Sequence, residues 1–474
     1  MFVQPLSRRS VLAGLGNGFA GLALGSLVQP EARAAGGAAS LTQRPQTFSG
    51  PARAVIQLFM HGGPSHVDLL DPKPMLDRYH GTTPPAEIDD DEDRTKYLMG
   101  TPFPFRPHGH SGLEFSSALP HIARHADDIA VIRSMFTEHR NHEQAIWMAN
   151  TGLIRPGRPN IGSWVAYGLG SETNDLPAYV ALPDPVGLPV DGARNWSSGW
   201  LPPRFQGTVF REQGSPVLNL QPKQPRPPAI EEARASLLRQ LNDQHLASRP
   251  GELELEARIE TFELAGRMQL AATDALDLSQ ETKTTQKLYG LDDPTTKSYG
   301  TRCLMARRLV EQGVRFVQVW HGSGQPWDNH DDIEVNHRRL AKQCDQGIGA
   351  LLKDLKQRGL LDETLVLFGG EFGRTPTVEL PTPGSNAGKI NGRDHNHHGF
   401  TMWMAGGGAK GGTVYGATDE FGFRAEVNRM HVHDLHATML AMLGFDHEKF
   451  TFRQAGRDFR LTDVHGKVIH DLIA

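Results

Sequence analysis

The chain has 474 residues, of which 38% are apolar and 22% are charged, so it carries enough apolar material for a substantial core. Its net charge is -5 with histidine neutral, and no long basic stretch follows the N-terminus, which argues against a nucleic-acid partner. The two cysteines cannot form a disulfide framework. Cys303 and Cys344 both fall in predicted helices, where buried thiols are expected.

The first 34 residues have the three-part order of a twin-arginine signal peptide. Arg8 and Arg9 precede an apolar stretch that reaches about Val28, and Ala-Arg-Ala at 32–34 provides a cleavage site. We therefore predict a periplasmic or secreted protein that is exported by the twin-arginine route. A retained membrane anchor is the alternative, although the stretch is short and interrupted by glycines. No later apolar run is long enough to cross a bilayer, so we expect no transmembrane span in the mature chain.

Residues 35–53 are rich in Gly, Ala, Ser, Pro and Gln, and we predict a linker there. The remainder, 54–474, alternates short apolar runs with helical patterns, which predicts a three-layer α/β/α sandwich with a mainly parallel sheet. A Pro/Gly-rich stretch at about 183–228 is predicted to form an ordered insertion, and 229–280 two helices broken at Pro250-Gly251. The predicted strands are Ala54–Met60, Ile129–Arg133, Ala178–Leu182, Arg315–Trp320, Leu365–Phe368 and Phe400–Ala405.

Metal-binding residue types cluster beside five of these strands. Ligands of an open parallel sheet gather outside the carboxyl ends of its strands, so we expect the five loops to meet at one edge. Mixed carboxylate and imidazole ligands favour a divalent metal, with zinc expected first and manganese, iron or calcium as alternatives. The candidates in chain order are His61, His66, Asp68, His142, Asp328, His330, Glu371, Arg374, Asp394 and His395.

A divalent ion at such an edge would polarise an oxygen of a phosphate or sulfate ester. The guanidinium of Arg374 is predicted to pair with the same anionic group through two hydrogen bonds. A structural ion pair is the alternative for this arginine.

Several phrases resemble a bacterial family, the domain of unknown function 1501, within the alkaline phosphatase and sulfatase superfamily. The resemblance spans essentially the whole mature chain and implies an alkaline phosphatase-like fold. The phrases that carry it are Gly62-Gly63-Pro64-Ser65-His66, Trp327-Asp328-Asn329-His330, Gly370-Glu371-Phe372-Gly373-Arg374-Thr375-Pro376 and Gly392-Arg393-Asp394-His395.

By this resemblance, Asp328, His330 and His395 fall where the superfamily places ligands of its first metal. Glu371 falls at a ligand of the second metal, but Phe372 replaces the histidine that should follow it, which puts the second metal in doubt. Strand matching places His61 at the metal-binding aspartate of the first strand. Asp68 lies further on.

The nucleophile departs from the superfamily pattern. Alkaline phosphatases use a serine before a helix that ends in Thr-Gly, and the corresponding position before Thr151-Gly152 is His142. The segment from Cys303 to Arg307 has Met where sulfatases have Pro, so a formylglycine sulfatase is not expected. His142 is a candidate nucleophile, metal ligand or general acid/base, with helix capping as the structural alternative. Direct attack by water, without a covalent intermediate, is also open.

Together these features predict an exported metal-dependent hydrolase of phosphate or sulfate esters. Its substrate would be a small-molecule or polysaccharide ester. The alternative is a non-catalytic cell-surface or periplasmic protein that binds a glycan or a partner on the same fold. We assign His142 and Arg374 to catalysis, Asp328, His330, Glu371 and His395 to the metal, and His61, His66, Asp68 and Asp394 as further candidates.

Overall fold

A nine-stranded sheet runs through the described part of the chain in the computed structural model, which covers residues 43–85, 95–215, 217, 227–249, 252–381, 387–388 and 391–474. The predicted signal peptide lies outside these ranges. The strands are β1 Ala54–Phe59, β2 Ile129–Phe136, β3 Tyr179–Leu182, β4 Thr208–Val209, β5 Phe316–Trp320, β6 Thr364–Gly369, β7 Phe400–Ala405, β8 Thr413–Tyr415 and β9 Met430–His431.

The strand order is β8-β2-β7-β6-β1-β5-β3-β4, and β9 also pairs with β2. Strand β7 runs antiparallel to both of its neighbours, β2 and β6. The other pairings of this described sheet are parallel. The predicted mainly parallel sheet is therefore confirmed.

Helices cover both faces of the sheet. Successive side chains of β1 enter opposite cores, with Val55 and Phe59 on one face and Ile56 and Leu58 on the other. The first face packs against α1, α2 and α7, and the second against α4, α5 and α6. This arrangement confirms the three-layer sandwich. The longer helices are α1 His142–Thr151, α2 Ile161–Leu169, α3 Pro228–Ala247, α4 Leu253–Ala275, α5 Lys297–Glu311, α6 Ile333–Gln357 and α7 Val432–Met442.

Short elements connect these layers. Three short helices span His66–Leu69, Pro74–Arg78 and Lys283–Leu288. Two small antiparallel sheets shape the edge of the domain: Gly373–Arg374 pairs with His395–Asn396, and Thr377–Glu379 pairs with Thr95–Leu98. The first of these pairings brings residues after β6 beside residues before β7. Further hairpins join Phe105–His108 to Leu113–Ser116, Ala417–Thr418 to Ala425–Val427, and Phe452–Gln454 to Arg457–Phe459.

The described part of the predicted insertion packs against the domain. Its strand β4 extends the edge of the sheet beside β3, and the side chains of Trp196 and Phe205 are buried. The thiols of Cys303 and Cys344 are buried in α5 and α6, as expected. None of the helices in the described ranges combines the length and the apolarity that a membrane crossing requires.

The described residues of the predicted linker lie along the domain. The N–H of Arg44 donates to the carbonyl of Gly168, and the N–H of Ala52 donates to the carbonyl of Met442. Where the linker ends and the domain begins stays a prediction.

Candidate metal centre

Four side chains from distant parts of the chain meet at the edge where the central parallel strands end. Oδ1 of Asp328 lies 2.7 Å from Nε2 of His330, 3.0 Å from Nε2 of His395 and 3.3 Å from Nε2 of His142. Nε2 of His395 also lies 3.0 Å from Nε2 of each of the other two imidazoles. Two ligands on a tetrahedral zinc ion with bonds of 2.0–2.1 Å would be about 3.3 Å apart. We call these four side chains the His3Asp ring.

The fold explains why these residues meet. His142 begins α1 directly after β2, whereas Asp328 and His330 lie in the loop that follows β5. His395 precedes β7, the strand that runs antiparallel to β2 and β6. Because of that reversal, a residue before β7 lies at the same edge as residues that follow the parallel strands.

Two further carboxylates lie behind the ring. Nδ1 of His142 is 2.6 Å from Oε1 of Glu371, and Nδ1 of His330 is hydrogen-bonded to Oε2 of Glu379. Glu371 also accepts the N–H of Gly62 at 2.9 Å. An imidazole that donates its Nδ1–H to a carboxylate presents the lone pair of Nε2 to the other side. The imidazoles of His142 and His330 therefore both direct Nε2 toward Asp328.

Neighbouring carboxylates raise the pKa of two of the three imidazoles, whereas burial lowers the pKa of His395 to about 3. Burial alone would lower the pKa of His142 and His330. Asp328 and Glu371 instead raise the pKa of His142, and Asp328 and Glu379 raise the pKa of His330. Burial would raise the pKa of the Asp328 carboxyl, yet Arg374 and three imidazoles hold it well below its usual range. The raised pKa values favour protons on His142 and His330. A divalent ion can take the place of such protons.

Arg374 is completely buried, and each of the three nitrogens of its guanidinium has a protein acceptor. One N–H forms an ion pair of 2.6 Å with Asp328, and another approaches Nε2 of His330 at 3.3 Å. The structure thus places Arg374 in the structural ion pair that was the alternative to substrate binding. Its remaining acceptors are the carbonyls of Gly62, Gly63, Trp327 and Arg393.

Glu371 lies behind His142, so its carboxylate reaches the ring through that imidazole. The ring of Phe372 packs 4.8 Å, between centroids, from the rings of His142 and His395. An apolar ring thus packs directly against two of the three imidazoles.

Two of the additional candidates, Asp68 and His66, have polar partners elsewhere, whereas neither ring nitrogen of the buried His61 has a hydrogen-bond partner among the described residues. Asp68 forms a buried ion pair with Arg393, with N–O distances of 2.8 and 3.1 Å, and Nε2 of His66 hydrogen-bonds to the carbonyl of Gly422 at 2.7 Å. The buried ring of His61 packs edge-on against Trp320, and burial lowers its pKa to about 4. These three residues lie outside the His3Asp ring.

Asp394 lies beside the ring. Its Oδ1 accepts the N–H of His395 at 2.7 Å and is 4.0 Å from Nδ1 of His330. Asp394, His330 and His395 form a second grouping of ligand-type atoms, all within 4.8 Å of one another.

Sequence reasoning missed Glu379. This residue is the last of the short strand Thr377–Glu379 and is 1% exposed. No motif marks it, and the only available signal was that a buried His330 needs an acceptor for its second ring nitrogen.

The protein is thus an α/β protein with a three-layer sandwich and a mainly parallel sheet. A group of His and Asp side chains that could hold a metal ion lies at one edge of that sheet. The model of one family, described as "Protein of unknown function (DUF1501)", matches residues 52–473. The chain therefore belongs to this family. A comparison with the curated proteins finds no match.

The chain is also similar to solved structures. A phosphonate monoester hydrolase from Silicibacter pomeroyi is 11% identical, with 84% of this chain and 73% of that chain covered and a TM-score of 0.34. The PsFucS1 sulfatase from Pseudoalteromonas sp. is 13% identical, with 84% and 69% covered and a TM-score of 0.35. A TAB5 alkaline phosphatase mutant is 12% identical, with 78% and 94% covered and a TM-score of 0.32.

Proposed function

We propose that this chain is an exported metal-dependent hydrolase of phosphate or sulfate esters. One observation carries the proposal: three imidazole nitrogens and one carboxylate oxygen converge at the edge of the sheet. The side chains of Asp328 and His395 are still 19% and 11% exposed there, so water and a substrate can reach the ring.

The donor set suits a borderline divalent ion such as zinc, because imidazole nitrogens outnumber carboxylate oxygens. Asp328, His142, His330 and His395 would hold the ion. Bound there, a divalent ion supplies the Lewis acidity that polarises a phosphoryl or sulfuryl oxygen. Arg374 holds the carboxylate of Asp328 in place from the buried side.

The surroundings of His142 favour direct attack by water over a covalent intermediate on the imidazole of His142. Its Nδ1 is tied to Glu371, and its Nε2 lies 3.0 Å from Nε2 of His395 and 3.3 Å from Asp328. A nucleophile needs a free lone pair that faces the substrate. In His142, Nδ1 faces a carboxylate and Nε2 faces a carboxylate and an imidazole, so neither nitrogen is free to attack a substrate.

A second candidate function has its own support. Four protein ligands fill a tetrahedral zinc ion, as in structural sites, whereas catalytic zinc keeps a position open. Full coordination by the His3Asp ring would favour a non-catalytic protein that binds a glycan or a partner. The Co²⁺-substituted chain distinguishes the two functions, because added inorganic phosphate should change its visible spectrum only if the ion keeps a position open for a further ligand.

The proposal is tested by metal analysis and turnover of the purified chain, with aryl phosphates and aryl sulfates as substrates. We expect a bound ion and hydrolysis of at least one ester class, both lost in Asp328→Ala and His395→Ala. The matched control is His66→Gln, which alters a buried imidazole outside the ring and should keep both. An ion without turnover supports the binding protein. A folded chain with neither contradicts the hydrolase.

Export is tested on the precursor. Replacement of Arg8 and Arg9 by lysine should leave the protein in the cytoplasm of a bacterium with a functional twin-arginine pathway. The N-terminus of the exported wild-type chain should begin directly after Ala34 if the signal is cleaved as proposed.

A further inference from the structure

The carboxylate of Glu379 touches the His3Asp ring from its buried side. Glu379 is 1% exposed, and its Oε2 is hydrogen-bonded to Nδ1 of His330. The main chain that carries this carboxylate is held by other contacts, because the N–H of Glu379 donates to the carbonyl of Gly392 at 3.1 Å and its strand pairs with Thr95–Leu98. The position of the Glu379 backbone therefore does not depend on His330.

The contact decides which nitrogen of His330 is available. With Nδ1–H donated to Glu379, the nitrogen that faces Asp328, 2.7 Å away, is Nε2, and this is the atom that would bind an ion. Without that acceptor, the imidazole can place its hydrogen on Nε2 and rotate out of the ring. Glu371 holds His142 in the same manner, so two of the three imidazoles have a dedicated carboxylate.

We propose that Glu379 is a positioning residue that sets the affinity of the His3Asp ring for a divalent ion through His330. This inference rests on the proposed function only in requiring an ion at the ring, since it makes no claim about turnover. The expected effect on affinity follows from metal sites in general. There, the loss of a hydrogen bond to a metal-binding histidine weakens metal binding by about 10- to 100-fold.

The test measures Zn²⁺ affinity of the full purified chain by competition with a chromophoric chelator. Glu379→Leu, which keeps the bulk but removes the acceptor, should bind Zn²⁺ about 10- to 100-fold more weakly than wild type. Glu379→Gln keeps an oxygen that can accept the Nδ1–H, so it should recover most of the affinity. The visible spectrum of the Co²⁺-loaded protein should change in Glu379→Leu and remain near wild type in Glu379→Gln.

The control is Asp71→Leu, which removes another buried carboxylate whose partners, Lys73, Arg133 and Thr418, lie outside the ring. Its Zn²⁺ affinity should match wild type, and thermal unfolding of each variant monitors the fold. Wild-type affinity in Glu379→Leu overturns the inference, as does an equal loss in Asp71→Leu.

The two proposals fail separately. If the wild-type chain hydrolyses esters with Zn²⁺ bound and Glu379→Leu binds as tightly, only the role of Glu379 is lost. If wild type binds Zn²⁺ without turnover and Glu379→Leu binds weakly, the hydrolase fails and Glu379 keeps its role. A wild-type chain that binds no Zn²⁺ overturns both.

Discussion

The guanidinium of Arg374 lies 2.6 Å from Oδ1 of Asp328, the same oxygen that contacts the imidazoles of His142, His330 and His395. One buried positive charge thus sits on the inner side of an ionised carboxylate, and the imidazoles surround its other side. The negative charge of Asp328 is therefore balanced before any ion arrives. Through this ion pair, Arg374 holds the carboxylate of Asp328 in its position among the three imidazoles.

Arg374→Met should lower the free energy of unfolding by about 3–5 kcal/mol in the presence of a chelator, because it leaves a mostly buried carboxylate without its partner. Added Zn²⁺ should restore more stability to the variant than to wild type, because the ion replaces the lost positive charge. Urea unfolding with and without Zn²⁺ measures both effects. Arg338→Met, which removes an exposed ion pair with Glu334, should change stability by less than about 1 kcal/mol. Equal stabilities of the two variants would contradict the prediction.

Ion affinity should rise with pH. The folded chain holds protons on His142 and His330 more tightly than free histidine does, since their pKa is raised, and an ion must displace these protons. We expect the apparent Zn²⁺ affinity to increase steadily from pH 6 to pH 8, as measured by chelator competition. A flat profile would mean that neither imidazole loses a proton when the ion binds.

Asp68→Asn should destabilise the fold without weakening the ion site. The ion pair of Asp68 with Arg393 is fully buried, so its loss should cost about 3–5 kcal/mol. Zn²⁺ affinity should stay within about twofold of wild type, because Asp68 lies outside the ring. Paired urea unfolding and chelator competition test this, and a large loss of affinity would place Asp68 among the ligands.

Asp345 should make stability depend on pH. Burial raises the pKa of this carboxyl to about 7, and the hydrogen bonds from the N–H groups of Ile122 and His121 offset that rise only in part. The folded state therefore binds this proton more tightly than the unfolded chain, whose aspartate pKa is near 3.8. The stabilisation is complete below about pH 4 and is lost as the pH rises through 7.

The matched variant is Asp345→Asn, which cannot titrate. The difference in unfolding free energy between wild type and Asp345→Asn should shift against wild type between pH 4 and pH 8, by roughly 4 kcal/mol at most. Urea unfolding at several pH values measures this difference. A difference that does not vary with pH would show that Asp345 keeps the same charge in the folded and unfolded chains.

Local sequence patterns were sufficient for most of the fold. Strand β7 was predicted at Phe400–Ala405 and lies there, because the run is apolar and both of its faces are covered. The same strand-end argument placed Asp328, His330 and His395 at one edge, where the structure has them. Glu379 could not be foreseen, since its position depends on pairing between Thr377–Glu379 and a strand almost 300 residues earlier.

The burial of Arg374 was equally hidden from the sequence. An arginine near metal-type residues suggests anion binding as readily as a structural ion pair. What decides between them is the set of four carbonyls around its guanidinium, contributed by three separate loops. Tertiary contacts of this kind leave no periodic pattern in the sequence.

The position of β2 within the sheet has a consequence for biosynthesis. Its partners in the described sheet, β7, β8 and β9, all come from residues 400–431, so a ribosome must finish most of the chain before this eight-residue strand finds a neighbour. Until then an apolar strand has unpaired backbone N–H and C=O groups on both edges, which can form β-sheet hydrogen bonds with other polypeptides. Shortened products that stop before residue 400 should accumulate as insoluble material, and newly made chains should depend on chaperones until the last sixth of the chain has been synthesised.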